Sequence, residues 1–234
     1  MIGKKQLSKA QPIDKVEQAV AALHEFIVEG GLEPGTVLPS ESEMVEQIGV
    51  SKFSMREALR VAQSQGLIEI SQGKRTRVAD VSTKPAAGIM SLLMKRSKHL
   101  LLELTEARRS LEISIVQLAA MRRTDEQVEE MEKTINDMEA NQEDVSFCVD
   151  KDIQFHEIMT KATGNRVYEV IYESLGELLR ESRQKTFQIS GVDKPIYEHR
   201  QIVQAIKEKD RKKAVSCMSE HLDTAELSLK ELRD

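Results

Sequence analysis

Tryptophan is absent from the 234 residues, and aromatic residues make up only 3%. β-Sandwiches and barrels lean on aromatic and β-branched side chains, so an all-β fold is disfavoured. Cysteine occurs only twice, at Cys148 and Cys217, and in no CxxC pair. That leaves neither a disulfide framework nor a thiolate metal site, and it fits a reducing compartment. No apolar run approaches the ~20 residues needed to span a bilayer. The start, Met1-Ile2-Gly3-Lys4-Lys5, lacks the apolar stretch of a secretory signal. A cytoplasmic protein with no membrane partner is expected. Glycine and proline are dense up to Gly88, and beyond it only Gly164, Gly176, Gly191 and Pro195 remain. What is abundant instead is Leu, Ala, Glu, Lys and Met, all strong helix formers. The net charge of −5 excludes a chain coated all over with cations, but not a local basic face.

The change in punctuation divides the chain. Frequent Gly and Pro imply short elements joined by tight turns, and their scarcity implies long helices. The expected fold is mostly α, with a winged helix-turn-helix over residues 1–80, a linker over 81–96 and an all-helical bundle over 97–234. In the first part Val16, Val20, Leu23 and Ile27 form a helical stripe from Ile13 to Val28, closed by Gly30 and Gly31. Ser40 with Glu43 is a capping box for a second helix that ends at Gly49. Ser51 caps a third helix, which runs through Met55, Ala58, Leu59 and Ala62 to Gly66. Two short helices broken by a Gly-containing turn are the helix-turn-helix signature. Leu67–Ile70 and Thr76–Val78 then flank Gln72, Gly73, Lys74 and Arg75, as in a small hairpin, or wing.

Basic and acidic residues nearly cancel over residues 1–80, so placement matters more than sum. Lys52, Arg56 and Arg60 recur at i, i+4 and i+8 on one face of the third helix, and Lys74, Arg75 and Arg77 sit on the wing. A solvated helix face explains three cations at helical spacing. Their coincidence with a helix-turn-helix and a basic hairpin favours a DNA-reading surface. The third helix would enter the major groove with Arg56 near base edges, while Ser51, Lys74 and the helix N-terminus hold phosphates.

Leu38-Pro39-Ser40-Glu41, Gly49-Val50-Ser51, Met55-Arg56-Glu57-Ala58-Leu59, Gly66-Leu67-Ile68 and Gly73-Lys74 resemble the winged-helix domain of GntR-family bacterial transcription regulators. The resemblance implies a homodimer on a palindromic double-stranded DNA operator. Ser51, Lys52, Phe53, Ser54, Arg56 and Arg60 on the recognition helix, with Gln72, Gly73, Lys74 and Arg75 on the wing tip, would contact it. Two positions depart from the family pattern, which usually has Arg at Ser42 and at Lys52, and Phe53 stands where Thr is frequent. Operator sequence is therefore not transferable from relatives.

The second part reads as six helices. Leu100, Leu104, Ala107, Leu111, Ile115 and Leu118 form one stripe, and Val128, Met131, Ile135 and Met138 another behind the capping pair Thr124 and Gln127. Further helices are predicted over Val145–Ala162, Val167–Gln184, Pro195–Lys209 and Asp210–Leu232. Asp152 and His156 are four apart and lie on the apolar stripe of their helix. His199 sits among Ile196, Ile202, Val203 and Ile206, and His221 among Ala214, Met218 and Ala225. A lone histidine on an apolar face is usually a satisfied core residue. Three histidines and an aspartate on separate core faces instead suggest one metal site, because buried polar groups need partners. One carboxylate oxygen and three imidazoles suit Zn, Ni, Mn or Fe. His24 and His99 lie off the inward stripes.

Glu106, Arg108, Arg109, Leu111 and Glu112, with Asp152, Phe155 and His156, Thr163-Gly164-Asn165, and His199, Ile202, Ala205 and Ile206, resemble the FadR-type FCD ligand-binding bundle. The resemblance implies that Asp152, His156, His199 and His221 bind a divalent transition metal. It further implies that a small carboxylate effector, such as lactate, gluconate or another sugar acid, sits against the metal, with Arg108 and Asn165 contacting it. Arg108 and Arg109 compete for the clamp role, and either could instead pair with Glu112. The expected function is a repressor released from its operator by an organic acid. The rival is a purely structural or sensed metal with no small-molecule effector. A metal-dependent hydrolase is disfavoured, since no spare Glu or His stands beside the four ligands as a general base, and no enzyme is expected.

Overall fold

The computed structural model describes residues 14–71, 75–79, 87, 88, 92 and 100–231. The expected linker 81–96 lies almost wholly outside them, as do Gln72, Gly73 and Lys74. The chain divides into two compact units, Met1–Pro85 and Ala86–Asp234.

In the first unit, α1 (Lys15–His24) is capped by Asp14, whose carboxylate accepts from the Val16 amide at 2.9 Å. The helix expected to run straight to Val28 instead widens into a π-helical turn over Glu25–Glu29. There the Gly30 N–H reaches back five residues to the Glu25 carbonyl, and Ile27 stays inward with Ala19 and Leu23. The capping box of α2 (Glu41–Ile48) is present in both directions, Ser40 with Glu43. Gly49 ends α2 at φ 73°, a left-handed conformation that favours glycine. Ser51 then caps α3 (Lys52–Ser64). Met55, Ala58, Leu59 and Ala62 on the inner face of α3 pack with Leu23, Leu38 and Met44 into one core. The hairpin is short, with β1 (Ile68–Glu69) antiparallel to β2 (Arg77–Val78) and Ile68 paired with Val78. Val37 adds an isolated bridge to Arg77.

The elements of the second unit from residue 100 on are all helices: α4 (Leu100–Arg122), α5 (Asp125–Ala140), α6 (Val145–Lys161), α7 (Arg166–Ser174), α8 (Gly176–Ser190), α9 (Asp193–Lys207) and α10 (Arg211–Glu231). α4 packs chiefly on α10, α5 on α6, α9 on both α10 and α5, and α8 on α6. Ile115, Met131, Ile135, Phe155, Met159, Ile202, Ile206 and Met218 share one apolar core.

The single helix expected over Val167–Gln184 is two. Leu175 turns its N–H back to the Tyr172 carbonyl, α8 starts at Gly176, and it continues to Ser190 before Gly191. The physical reason lies in the core. The Arg183 guanidinium hydrogen-bonds the Tyr172 hydroxyl at 3.0 Å, whereas residues eleven apart on one helix stand about 16 Å apart along its axis. Only a break brings the two together.

Candidate functional site

Three helices of the bundle point polar side chains at one spot in an otherwise apolar core. Asp152 and His156 come from α6, His199 from α9 and His221 from α10, and all four are buried. One donor atom from each lies within 4.8 Å of the others. The imidazole centroids are 4.8–5.4 Å apart, and the His199 ring stacks on Phe155 at 4.2 Å. Neither ring nitrogen of His156 or of His199 has a hydrogen-bond partner in the protein. Buried polar atoms without partners are costly, and here they are gathered around a common point.

Carboxylates behind the rings set the orientation of two of them. His221 Nδ1 meets Glu198 Oε2 at 2.9 Å, and Thr224 donates to the other Glu198 oxygen at 2.6 Å. His156 Nδ1 lies 3.0 Å from Glu112 Oε2, near enough for a charge contact although off the line of a hydrogen bond. With Nδ1 turned to a carboxylate, Nε2 is the nitrogen left for an ion. Burial holds His199 well below the ordinary imidazole range, with His221 and His156 adding to it. Burial likewise lowers His221 to about 4, against the opposing pull of Glu198. These two imidazoles are neutral at pH 7, the form that binds metal. Burial disfavours the charge on Glu112, yet Arg108 and His156 outweigh it and hold that carboxyl well below its usual range. The fit to a metal is good: three imidazoles and one carboxylate, already desolvated, with orphaned nitrogens facing inward. Such a mixed nitrogen and oxygen set suits a divalent transition ion.

A cavity of about 30 Å³ opens beside the cluster, and Arg108, Asp152, Arg183, Glu198 and His221 line it. Of the two candidate arginines, Arg108 is the one at the cavity. Its Nε donates to Glu112 Oε1 at 2.6 Å, and no other hydrogen bond of its guanidinium is seen among the described residues. Arg109 instead turns to Asp223 at 2.7 Å and Glu226 at 3.2 Å. Asn165 does not line the cavity; its carboxamide caps α7 by accepting from the Val167 amide at 3.1 Å. Sequence reasoning passed over Arg183, whose guanidinium grips the second oxygen of Asp152 and also donates to Tyr172. It passed over Glu198 as well. Glu198 occupies the same inward stripe as Pro195, His199 and Ile202, a spacing visible in the sequence.

In the first unit, Lys52, Phe53, Arg56 and Arg60 stand exposed on α3. Ser51 spends its hydroxyl on the Ser54 amide at 3.0 Å, and the two hydroxyls are also 3.0 Å apart. Arg56 is not free, since its Nε contacts both Glu41 oxygens at 2.9 and 3.1 Å. Arg60 pairs with Glu57 at 2.7 Å, and Arg75 donates to the Leu38 carbonyl. The Arg56–Glu41 and Arg60–Glu57 ion pairs are solvent-exposed and weak, about 0–1 kcal/mol each.

Comparison with known proteins agrees with both halves. The FCD domain matches residues 103–224, and the gntR family of bacterial regulatory proteins matches residues 15–78. The HTH-type transcriptional repressor NanR of Enterobacter sp. (strain 638) is 29% identical over 93% of this chain and 85% of its own length. The HTH-type transcriptional regulator LutR of Bacillus subtilis (strain 168) is 27% identical over 86% of this chain and 94% of its own. Among solved structures, Streptococcus agalactiae GntR superposes with a TM-score of 0.75 at 28% identity, covering 91% of this chain and 99% of that one. Winged-helix unit and helical bundle together identify the chain as a transcriptional regulator of the GntR family with a C-terminal FCD domain.

Proposed function

We propose that the chain is a cytoplasmic, homodimeric repressor that binds a divalent transition metal through Asp152, His156, His199 and His221. A small organic acid, bound against that metal and clamped by Arg108, releases it from a palindromic operator. The observation that carries this reading is the shared cavity: Arg108 lines one space with Asp152 and His221, two of the four cluster residues.

A bound divalent ion supplies a positive anchor for a carboxylate. Arg108 adds a second one, with the planar fork that matches a carboxylate bidentately. Glu112 holds Arg108 from behind and Arg183 holds Asp152, so both are oriented before a ligand arrives. The cavity's size suggests how binding is transmitted. A space of about 30 Å³ admits a water or a carboxylate head, so a longer acid must displace the α8, α9 and α10 side chains on its rim. A ligand shifts such an equilibrium only by its differential affinity for the two arrangements. On the DNA side, Ser51, Lys52, Phe53, Ser54, Arg56, Arg60 and Arg75 form the contact surface, together with Gln72, Gly73 and Lys74. Exposed pairs such as Arg56–Glu41 exchange readily for phosphate or base contacts.

The test is fluorescence anisotropy on a duplex selected by the protein from a randomised library, titrated with short hydroxy and sugar acids with and without chelator. At least one acid is expected to release the duplex only while metal is present. Binding that no acid alters, at any metal content, supports the rival in which the ion is structural.

A further inference from the structure

The recognition helix carries a side chain that the fold does not use. Phe53 is 73% exposed, the most exposed large apolar residue among those described. It sits in the first turn of α3, on the face opposite Met55, Ala58, Leu59 and Ala62, which fill the core. Phe is a mediocre helix former, and capping falls to Ser51. Neither packing, propensity nor capping accounts for it.

Its neighbours are occupied. Phe53, Arg56, Glu57 and Arg60 recur at i, i+3, i+4 and i+7 and share one face. On that face Arg56 is held by Glu41 and Arg60 by Glu57, while the Ser51 and Ser54 hydroxyls bond each other. Apart from the exposed Lys52, the polar groups nearest the helix tip are thus paired within the protein, and the ring stands out as the unmatched apolar group. In the major groove the base edges offer one apolar group of their own, the C5-methyl of thymine.

We propose that Phe53 reads a thymine methyl in the operator by apolar contact and is a determinant of sequence choice for this chain. This rests on the DNA-binding reading above. The contact carries no charge, so its discrimination persists at salt concentrations that weaken phosphate contacts from residues such as Lys52.

The experiment uses the full chain and a duplex recovered by selection from a randomised library. Each thymine of that duplex is replaced in turn by deoxyuridine, which removes only the methyl. At one or more positions the wild-type protein is expected to lose about fourfold in affinity per methyl. Phe53→Ala is expected to bind more weakly overall and to bind thymine and deoxyuridine duplexes equally, while Phe53→Leu keeps part of the preference. Because the side chain is exposed, the thermal midpoint of both variants should match the wild type. Enrichment of a sequence whose binding ignores every deoxyuridine replacement overturns the proposal alone. So does a preference that Phe53→Ala retains in full. A library from which no sequence is enriched overturns both this proposal and the DNA-binding reading.

Discussion

Burial suits His199 and His221 to metal binding by denying them a proton. The value of about 4 for His221 lies below the ordinary ~6.5 of an unfolded chain. Between those values the unfolded state binds more protons, so stability rises with pH across the window. The chelated protein is therefore expected to be fully stable above about pH 6.5 and to lose stability as pH falls toward 4. Thermal midpoints measured against pH check this, and a flat profile over that window contradicts it. Behind the rings, Glu112→Gln is expected to weaken metal binding by about 10- to 100-fold, read by competition with a chromophoric chelator. His199→Ala should retain no metal on elemental analysis. Asp152 and the three histidines were legible in the sequence because each interrupts an apolar helical stripe. Arg183 and Glu198 lie on comparable stripes. They escaped because long charged side chains on a helix normally carry their heads out to water, and spacing alone does not reveal that these two are held inside.

Helix ends explain most of what was readable at the scale of the element. Ser40 with Glu43, Gly49 and Ser51 bound the helix-turn-helix through their own local chemistry, so the sequence sufficed there. The division between α7 and α8 is different in kind. No proline or capping side chain marks Leu175, and the break is required only by the distant contact of Arg183 with Tyr172. One helix end carries a correctable cost. After α9, Lys209 adopts φ 57°, with the Lys209 and Asp210 amides bonded back to Ile206 and Ala205, a closure in which glycine is the usual residue. Lys209→Gly is expected to raise stability by roughly 0.5–1 kcal/mol, measurable by urea denaturation. A loss of stability would show that the lysine side chain contributes more than its backbone strain costs. On α3, Arg56→Ala should lower affinity for the selected duplex by about 1–3 kcal/mol if the guanidinium leaves Glu41 for a base edge. Unchanged binding at moderate salt would remove Arg56 from the reading surface.

At the scale of the molecule, the small aromatic content and mild acidity acquire a common explanation. A bundle with few rings has little to hold a large planar ligand, and its centre instead gathers three imidazoles and a carboxylate beside a small cavity lined by two arginines. The acidity averages two units with different tasks, and the basic groups proposed to meet DNA are a handful on α3 and the wing. Fold class and the clustering of Asp152 with the three histidines could be read from the sequence because both rest on periodicity. The choice of Arg108 over Arg109 could not, since adjacent residues diverge by about 100° around a helix and only packing on α10 decides which turns inward. The reading stands or falls on coupling between metal and acid. A ligand that binds the folded state raises its stability in proportion to occupancy, so thermal midpoints measured across a panel of short organic acids report binding directly. At least one acid should raise the midpoint of the metal-loaded protein, and lose that effect both with chelator and in His199→Ala. Stabilisation that survives removal of the metal, or a panel that stabilises nothing, would contradict a carboxylate sensed at the metal centre.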